Sequence, residues 1–109
     1  MKSITYELIQ DHCDSFLTDD LNWMLKVEEL DLSKQHLTCI ENLDGLTNLR
    51  VANFSYNRLE SMQGISECVQ LEELNFEHNL IRRISGLSNL EKLQKLELGM
   101  NKISKIENL

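Results

Sequence analysis

The 109-residue chain has no proline, four glycines, three cysteines, and few aromatics: three phenylalanines, two tyrosines and one tryptophan. Basic residues are also scarce, eleven against eighteen carboxylates, for a formal charge of −7. A nucleic-acid partner needs a basic face to displace counterions from phosphate, so this balance argues against one. No stretch approaches the roughly 18 apolar residues of a membrane-spanning helix, and no membrane partner is expected. The opening MKSITYELIQ has a lysine but no apolar run behind it, so no secretory leader is expected. Cys13, Cys39 and Cys68 stand at no ligand or redox spacing, and His12-Cys13 is an adjacent pair with no second pair to complete a metal site. No metal and no cofactor are expected. An odd, scattered cysteine set points to a reducing compartment. Asn53-Phe54-Ser55 matches a glycosylation acceptor, but Phe54 falls at a buried strand position, so the match is discounted.

A fixed period is what the chain does have. Leu71, Leu74, Phe76, Asn79, Ile81, Ile84, Leu87 and Leu90 return 22 residues later as Leu93, Leu96, Leu98, Asn101, Ile103, Ile106 and Leu109. They are preceded by Leu49, Ala52, Phe54, Asn57, Leu59, Met62, Ile65 and Cys68, and before those by Val27, Leu30, Leu32, Gln35, Leu37, Ile40, Leu43 and Leu46. This L-x-x-L-x-L-x-x-N-x-L core at fixed period is the mark of a leucine-rich repeat solenoid. The expected fold is α/β: a right-handed solenoid with a concave parallel sheet of four strands and short helical or 3-10 segments on the convex side. Residues 1–26 are expected to form an N-terminal helical cap, and residues 27–109 the repeats (27–48, 49–70, 71–92 and a partial 93–109). A solenoid buries each repeat against its neighbours and so escapes the limit that small size sets on a single core.

In the leading segment, Ser3 to about Cys13 is expected as a helix with Ser3 as N-cap and Ile4, Leu8 and Ile9 as its apolar stripe. Asp14 to Asp20 reads as a turn, and Thr18 followed by Asp19 and Asp20 as a second N-cap. Leu21-x-x-Met24-x-x-Val27 matches the convex spacing of the later repeats, with Trp23 as part of the cover. Asn57, Asn79 and Asn101 are expected as a structural ladder where the backbone leaves each strand, because an amide side chain offers both donor and acceptor. Gln35 holds that place in the first repeat. Gly64 and Gly86, with Asn42 and Asn108 at the same position, suit positive φ.

Equivalent residues should stack in columns across the concave face, with strands roughly 4.8 Å apart. The columns read Glu29, Val51, Glu73, Lys95; then Asp31, Asn53, Asn75, Glu97; then Ser33, Ser55, Glu77, Gly99; with Lys34, Tyr56, His78 and Met100 at the strand exits. Glu97 lies diagonal to Glu73 and Glu77, but a shallow sheet face offers no closed pocket to raise a carboxylate pKa, and no serine or cysteine stands where His78 could activate it. No catalytic residue is assigned and no enzymatic activity is expected. The candidate partner-binding residues are Glu29, Asp31, Val51, Asn53, Ser55, Tyr56, Glu73, Asn75, Glu77, His78, Lys95, Glu97 and Met100, centred on Tyr56, the one aromatic at the face. Arg58, Arg82, Arg83, Lys102 and Lys105 form a basic strip along one edge.

The skeleton resembles the 22-residue class of intracellular leucine-rich repeats, typified by a regulatory subunit of protein phosphatase 1 and a light chain of ciliary outer-arm dynein. The phrase Ile40-Glu41-Asn42-Leu43, returning as Ile106-Glu107-Asn108-Leu109, carries much of that likeness. The resemblance implies non-catalytic protein binding on the concave face as a scaffold or regulatory subunit. It implies a cytoplasmic location, with cilium, centrosome or nucleus as alternatives. The expected partner is another protein with a basic surface, since residues 1–31 hold eight carboxylates and two lysines. The alternative is a purely architectural role as the first part of a longer repeat array. Because Leu109 falls within a fourth repeat, the chain is expected to be a piece of a longer protein, self-associating through its uncapped last repeat or fraying there.

Overall fold

The computed structural model describes residues 3–14 and 21–104. Four short strands, β1 (Glu29–Asp31), β2 (Val51–Asn53), β3 (Glu73–Asn75) and β4 (Lys95–Glu97), form one parallel sheet in sequence order. Each strand pairs with the residue 22 positions on: Glu29 with Val51, Val51 with Glu73, Glu73 with Lys95. The register is therefore a constant offset of 22 residues from strand to strand. In every strand the central residue turns inward; Leu30, Ala52 and Leu74 are buried, while Leu96 is only half-buried. The ladder runs on past the formal strands, where Leu32, Phe54 and Phe76 donate N–H bonds of 2.8 Å to Asn53, Asn75 and Glu97. Phe54 and Phe76, both fully buried, stack with centroids 5.4 Å apart. Aromatic pairing of this kind is worth about 0.5–1.5 kcal/mol beyond area burial.

On the convex side the expected short helical or 3-10 segments are reduced to turns. Leu46 N–H donates to Leu43 and Leu49 N–H to Leu46, and the same pair of bonds recurs at Cys68 and Leu71 and at Leu90 and Leu93. These are successive single turns. Two residues between successive anchored apolar positions leave room for one i→i+3 bond each and no more. The one 3-10 helix among the described residues is Trp23–Lys26.

The asparagine ladder is present, with Asn57 and Asn79 buried and Asn101 half-buried. Asn57 Oδ1 accepts from Gln35 and Leu37 N–H, and its Nδ2 donates to the carbonyls of Leu32, Phe54 and Ser55. Asn79 serves Leu59 N–H and the Phe54, Phe76 and Glu77 carbonyls; Asn101 serves Ile81, Phe76, Leu98 and Gly99 in the same way. One side chain thus satisfies backbone groups of two adjacent repeats. Gln35, with a longer side chain, instead reaches Ser33 O and His12 Nε2, both at 3.3 Å.

Positive φ occurs at Asn42, Gly64 and Gly86, as their shared position demands; Asn108 lies outside the described residues. Gly64 is the strict case, because a Cβ there would sit 2.5 Å from Ile40 O.

The leading segment holds two departures from expectation. The helix α1 spans Tyr6–His12 and its N-cap is Thr5, whose Oγ1 accepts from Leu8 N–H at 3.1 Å, and not Ser3. Starting there places Ile4 just before the cap and Ile9 four residues inside it, both fully buried, which is the spacing of a hydrophobic staple. Leu21, expected to lie inward like Leu43, is instead 98% exposed, and no described residue covers it. Met24 packs toward Gly45, within 2.9 Å of where a Cβ would be. Trp23 rests against the core. The expected cap at Thr18, with Asp19 and Asp20, lies outside the described residues, as do Lys105, Ile106, Glu107 and Leu109.

Past α1 the chain meets the sheet. Cys13 bridges Leu30 in antiparallel fashion, Asp14 N–H donates to Glu29 O, and Asp14 Oδ1 accepts from Glu28 N–H. His12 Nδ1 meets Leu8 O at 2.9 Å. On the other side, Asn42 Nδ2 donates to Ile4 O and Asn48 Nδ2 to Leu25 O, each at 2.7 Å.

Candidate functional site

The parallel register places the candidate residues in columns on one face. Glu29, Val51, Glu73 and Lys95 stand side by side, as do Asp31, Asn53, Asn75 and Glu97. Alternation puts these outward because Leu30, Ala52, Leu74 and Leu96 point in. The second column also shapes the strand exits: Asp31, Asn53 and Asn75 each accept through Oδ1 from the N–H two residues on. Lys95 Nζ lies 3.4 Å from Glu97 Oε1 on its own strand. Arg50, just before β2, joins Glu28 and Glu72 at 3.1 and 3.2 Å. Those hydrogen bonds raise its pKa above the ordinary guanidinium value.

At the strand exits the backbone turns left-handed at Lys34, Tyr56, His78 and Met100, with φ between 55° and 58°. Large side chains rarely adopt this conformation. Here the ladder imposes it, since Lys34, Tyr56 and His78 donate N–H bonds to Ser55, Glu77 and Gly99. Their side chains consequently form a stack. The Tyr56 and His78 rings lie 4.3 Å apart and nearly parallel, and Lys34 Nζ sits 5.5 Å from the Tyr56 centroid. Tyr56 is half exposed and Met100 more so.

Of the expected residues, the structure brings Tyr56, His78 and Met100 to one rim and Val51, Asn53, Glu73, Asn75, Lys95 and Glu97 around a depression of about 140 Å³. Ser55 is a correction: it is buried and cannot present a contact. Its backbone is engaged by Lys34, Asn53 and Asn57, and a side chain this short does not reach the surface. Sequence reasoning missed Asp14, His12 and Cys13, which line a second depression of about 380 Å³ with Glu29, Asp31, Val51 and Asn53. Their separation from β1 in sequence and the polar character of the 14–20 stretch gave no sign of pairing. Lys34 was visible in the exit column, but its place over the Tyr56 ring was not. The left-handed exits had no glycine to announce them.

Cys68 is fully buried, donates to Leu43 O, and has its pKa pushed up to about 12, chiefly by burial and then by the charges of Glu67 and Asp44. It fills a core position. Among the described residues no group of three His, Cys, Asp or Glu side chains could hold a metal ion, and no helix is long and apolar enough to cross a membrane. Of the basic edge, Arg58, Arg82, Arg83 and Lys102 are exposed.

Residues 69–109 match the family model described as leucine-rich repeats (2 copies). No curated protein sequence matches the chain. Among solved structures, internalin C2 from Listeria monocytogenes is 25% identical with a TM-score of 0.69, over 83% of this chain and 40% of that one. An internalin (inlF) from the same organism is 24% identical with a TM-score of 0.70, over 80% of this chain and 27% of that one. The chain thus spans less than half the length of either internalin. The 22-residue pairing, the asparagine ladder and the match at residues 69–109 together identify a leucine-rich repeat fold with a four-stranded parallel sheet.

Proposed function

We propose that the chain is a protein-binding module that receives another protein on its concave sheet face. The observation that carries this reading is the stacked Tyr56–His78 pair at the rim of that face, half exposed and pre-set by the backbone. Rigid aromatic side chains lose little freedom on binding and dominate interface energies. Leucine-rich repeats in general mediate protein–protein contacts and are typically not catalysts, and the open face here suits recognition better than reaction. On this reading residues 1–26 serve as the N-terminal cap and residues 27–48, 49–70, 71–92 and a partial 93–109 as repeats wound right-handedly, the hand favoured for parallel strand crossovers. Resemblance to the 22-residue intracellular class supports a scaffold or regulatory role in a cytoplasmic, ciliary, centrosomal or nuclear assembly.

The test is a double variant, Tyr56→Asn with Glu77→Arg. Asparagine suits the left-handed backbone at position 56 better than alanine and still removes the ring. Partners that co-purify with the native chain should be lost, with the variant's melting temperature unchanged. If every co-purifying protein remains, the concave reading fails and the architectural role takes its place. A second arm compares lysates of ciliated and non-ciliated cells. Recovery of the same partners from both removes the ciliary assignment.

A further inference from the structure

The two depressions on the sheet face share Val51 and Asn53 in their linings, so they join into one trough. It runs across the strands from residues 12–14, beside β1, to β4. Four strand spacings make it roughly 19 Å long, enough for five or six residues of extended chain. Its charge is one-sided. Asp14, Glu29, Asp31, Glu73 and Glu97 line it against one cation, Lys95, which is already paired with Glu97. Arg50 does not offset this charge, being held outside the strands by Glu28 and Glu72. Val51 supplies an apolar wall at the middle, where both depressions meet.

We infer that the occupant of this trough is an extended, arginine-bearing segment of the partner protein, lying across the strands with residues 12–14 as part of the binding face. The inference rests on the concave-face reading above and specifies its partner. Arginine fits better than lysine on two counts. Its planar guanidinium takes carboxylates two at a time, and its stem lies along apolar wall such as Val51. Alternate side chains of an extended segment repeat about every 7 Å, so two of them reach carboxylates at opposite ends of the trough. On this account the leading segment does more than cover the first strand. It lends Asp14 to recognition.

The experiment uses fluorescein-labelled peptides (Arg-Ala)4, (Glu-Ala)4 and (Ser-Ala)4, titrated by polarisation against the full chain. (Arg-Ala)4 should bind and the other two should not. Glu29→Gln with Asp31→Asn removes two charges while keeping the hydrogen bond to Ser33 N–H that asparagine makes at the equivalent Asn53 and Asn75. That variant should weaken (Arg-Ala)4 by about tenfold, as expected for loss of close charge pairs. Glu60→Gln with Glu91→Gln, which changes net charge equally but lies outside the sheet, should weaken it by less than about twofold. Asp14→Asn alone should cost about threefold. Equal loss in both double variants would assign the attraction to net charge and overturn the proposal, as would no binding of (Arg-Ala)4. Face-sensitive binding of (Ser-Ala)4 as tight as (Arg-Ala)4 would overturn the arginine requirement alone, leaving the concave site in place. Loss of the native partner on Tyr56→Asn with Glu77→Arg reports on that site independently of the peptides.

Discussion

The two ends of the sheet carry the same skeleton and differ in what lies next to them. At the β1 end, Leu30 and Leu32 are buried, although only one repeat adjoins them. On the other flank α1 lies against β1 and Cys13 bridges Leu30, with Ile4 and Ile9 buried in the same core. At the β4 end, Leu96 and Leu98 occupy the matching positions and are only half-buried, and no described residue stands beyond them. Register is thus a property of the repeat, whereas burial is a property of the neighbour. Stability in a solenoid accordingly divides into repeat terms and interface terms.

The sharpest way to separate the two ends is to delete the same amide at each kind of position. Asn57→Ala strands the Gln35 and Leu37 N–H groups and the Leu32 carbonyl inside the molecule, while Phe54 O and Ser55 O keep Asn79 and Lys34 as donors, and should cost about 4 kcal/mol. Asn101→Ala, in the half-buried last repeat, should cost about half that by urea denaturation. Equal losses would mean the end repeat is as firmly held as the interior. Next in size, Ile9→Ala should destabilise by about 2–4 kcal/mol and Leu98→Ala by about 1 kcal/mol. Hydrogen exchange should then bring β1 amides to the protection of β4; unchanged β1 protection would show that the leading segment does not support that edge.

A smaller effect compares two glycines at one repeat position. Gly64→Ala meets Ile40 O at 2.5 Å with φ of +108°, and should cost about 2–3 kcal/mol. Gly86→Asn has open space and φ of +74°, and should stay within about 0.5 kcal/mol of native. A reversed order of melting temperatures would break the claim that neighbours, not the repeat position, set the constraint. Smallest at neutral pH is the effect of Cys68, which appears only as pH rises above about 9. Burial favours the neutral Cys68 thiol, raising its pKa from 9.0 to about 12. Its contribution is complete below the unfolded value and is lost as pH rises toward the folded one. Stability should therefore fall by about 1.4 kcal/mol per pH unit across that window. Cys68→Leu, which restores the residue type of Leu46 and Leu90, should flatten that slope.

The sheet was legible from sequence because parallel pairing at a constant offset repeats the same inward positions, and Leu30, Ala52, Leu74 and Leu96 marked them. The ladder was legible too, since Asn57, Asn79 and Asn101 recur where free backbone groups need both donor and acceptor. The convex turns were expected as short helical or 3-10 segments because a spacing of three suits all of these; i→i+3 bonds that recur every third residue and not at consecutive ones distinguish the turns. At the site, the columns followed from register, but the Tyr56–His78 stack depends on a left-handed exit that the ladder imposes against side-chain preference. Asp14 reached the trough through an antiparallel bridge whose partner lies in β1, far along the chain and outside the period. A repeat reading sees only what recurs.

The constant register also governs which lengths of chain could be removed. Excising residues 49–70 as a block would leave the frame of pairing intact, bringing Leu74 beside Leu30 and Phe76 beside Leu32. The apolar interior would close again, but the outer columns would not. Glu29 would face Glu73, Glu28 would lose the arginine it shares with Glu72, and Lys34 would lie beside His78 in place of Tyr56. The second repeat is therefore interchangeable in its core and singular on its surface, where Arg50 and Val51 keep like charges on either side apart.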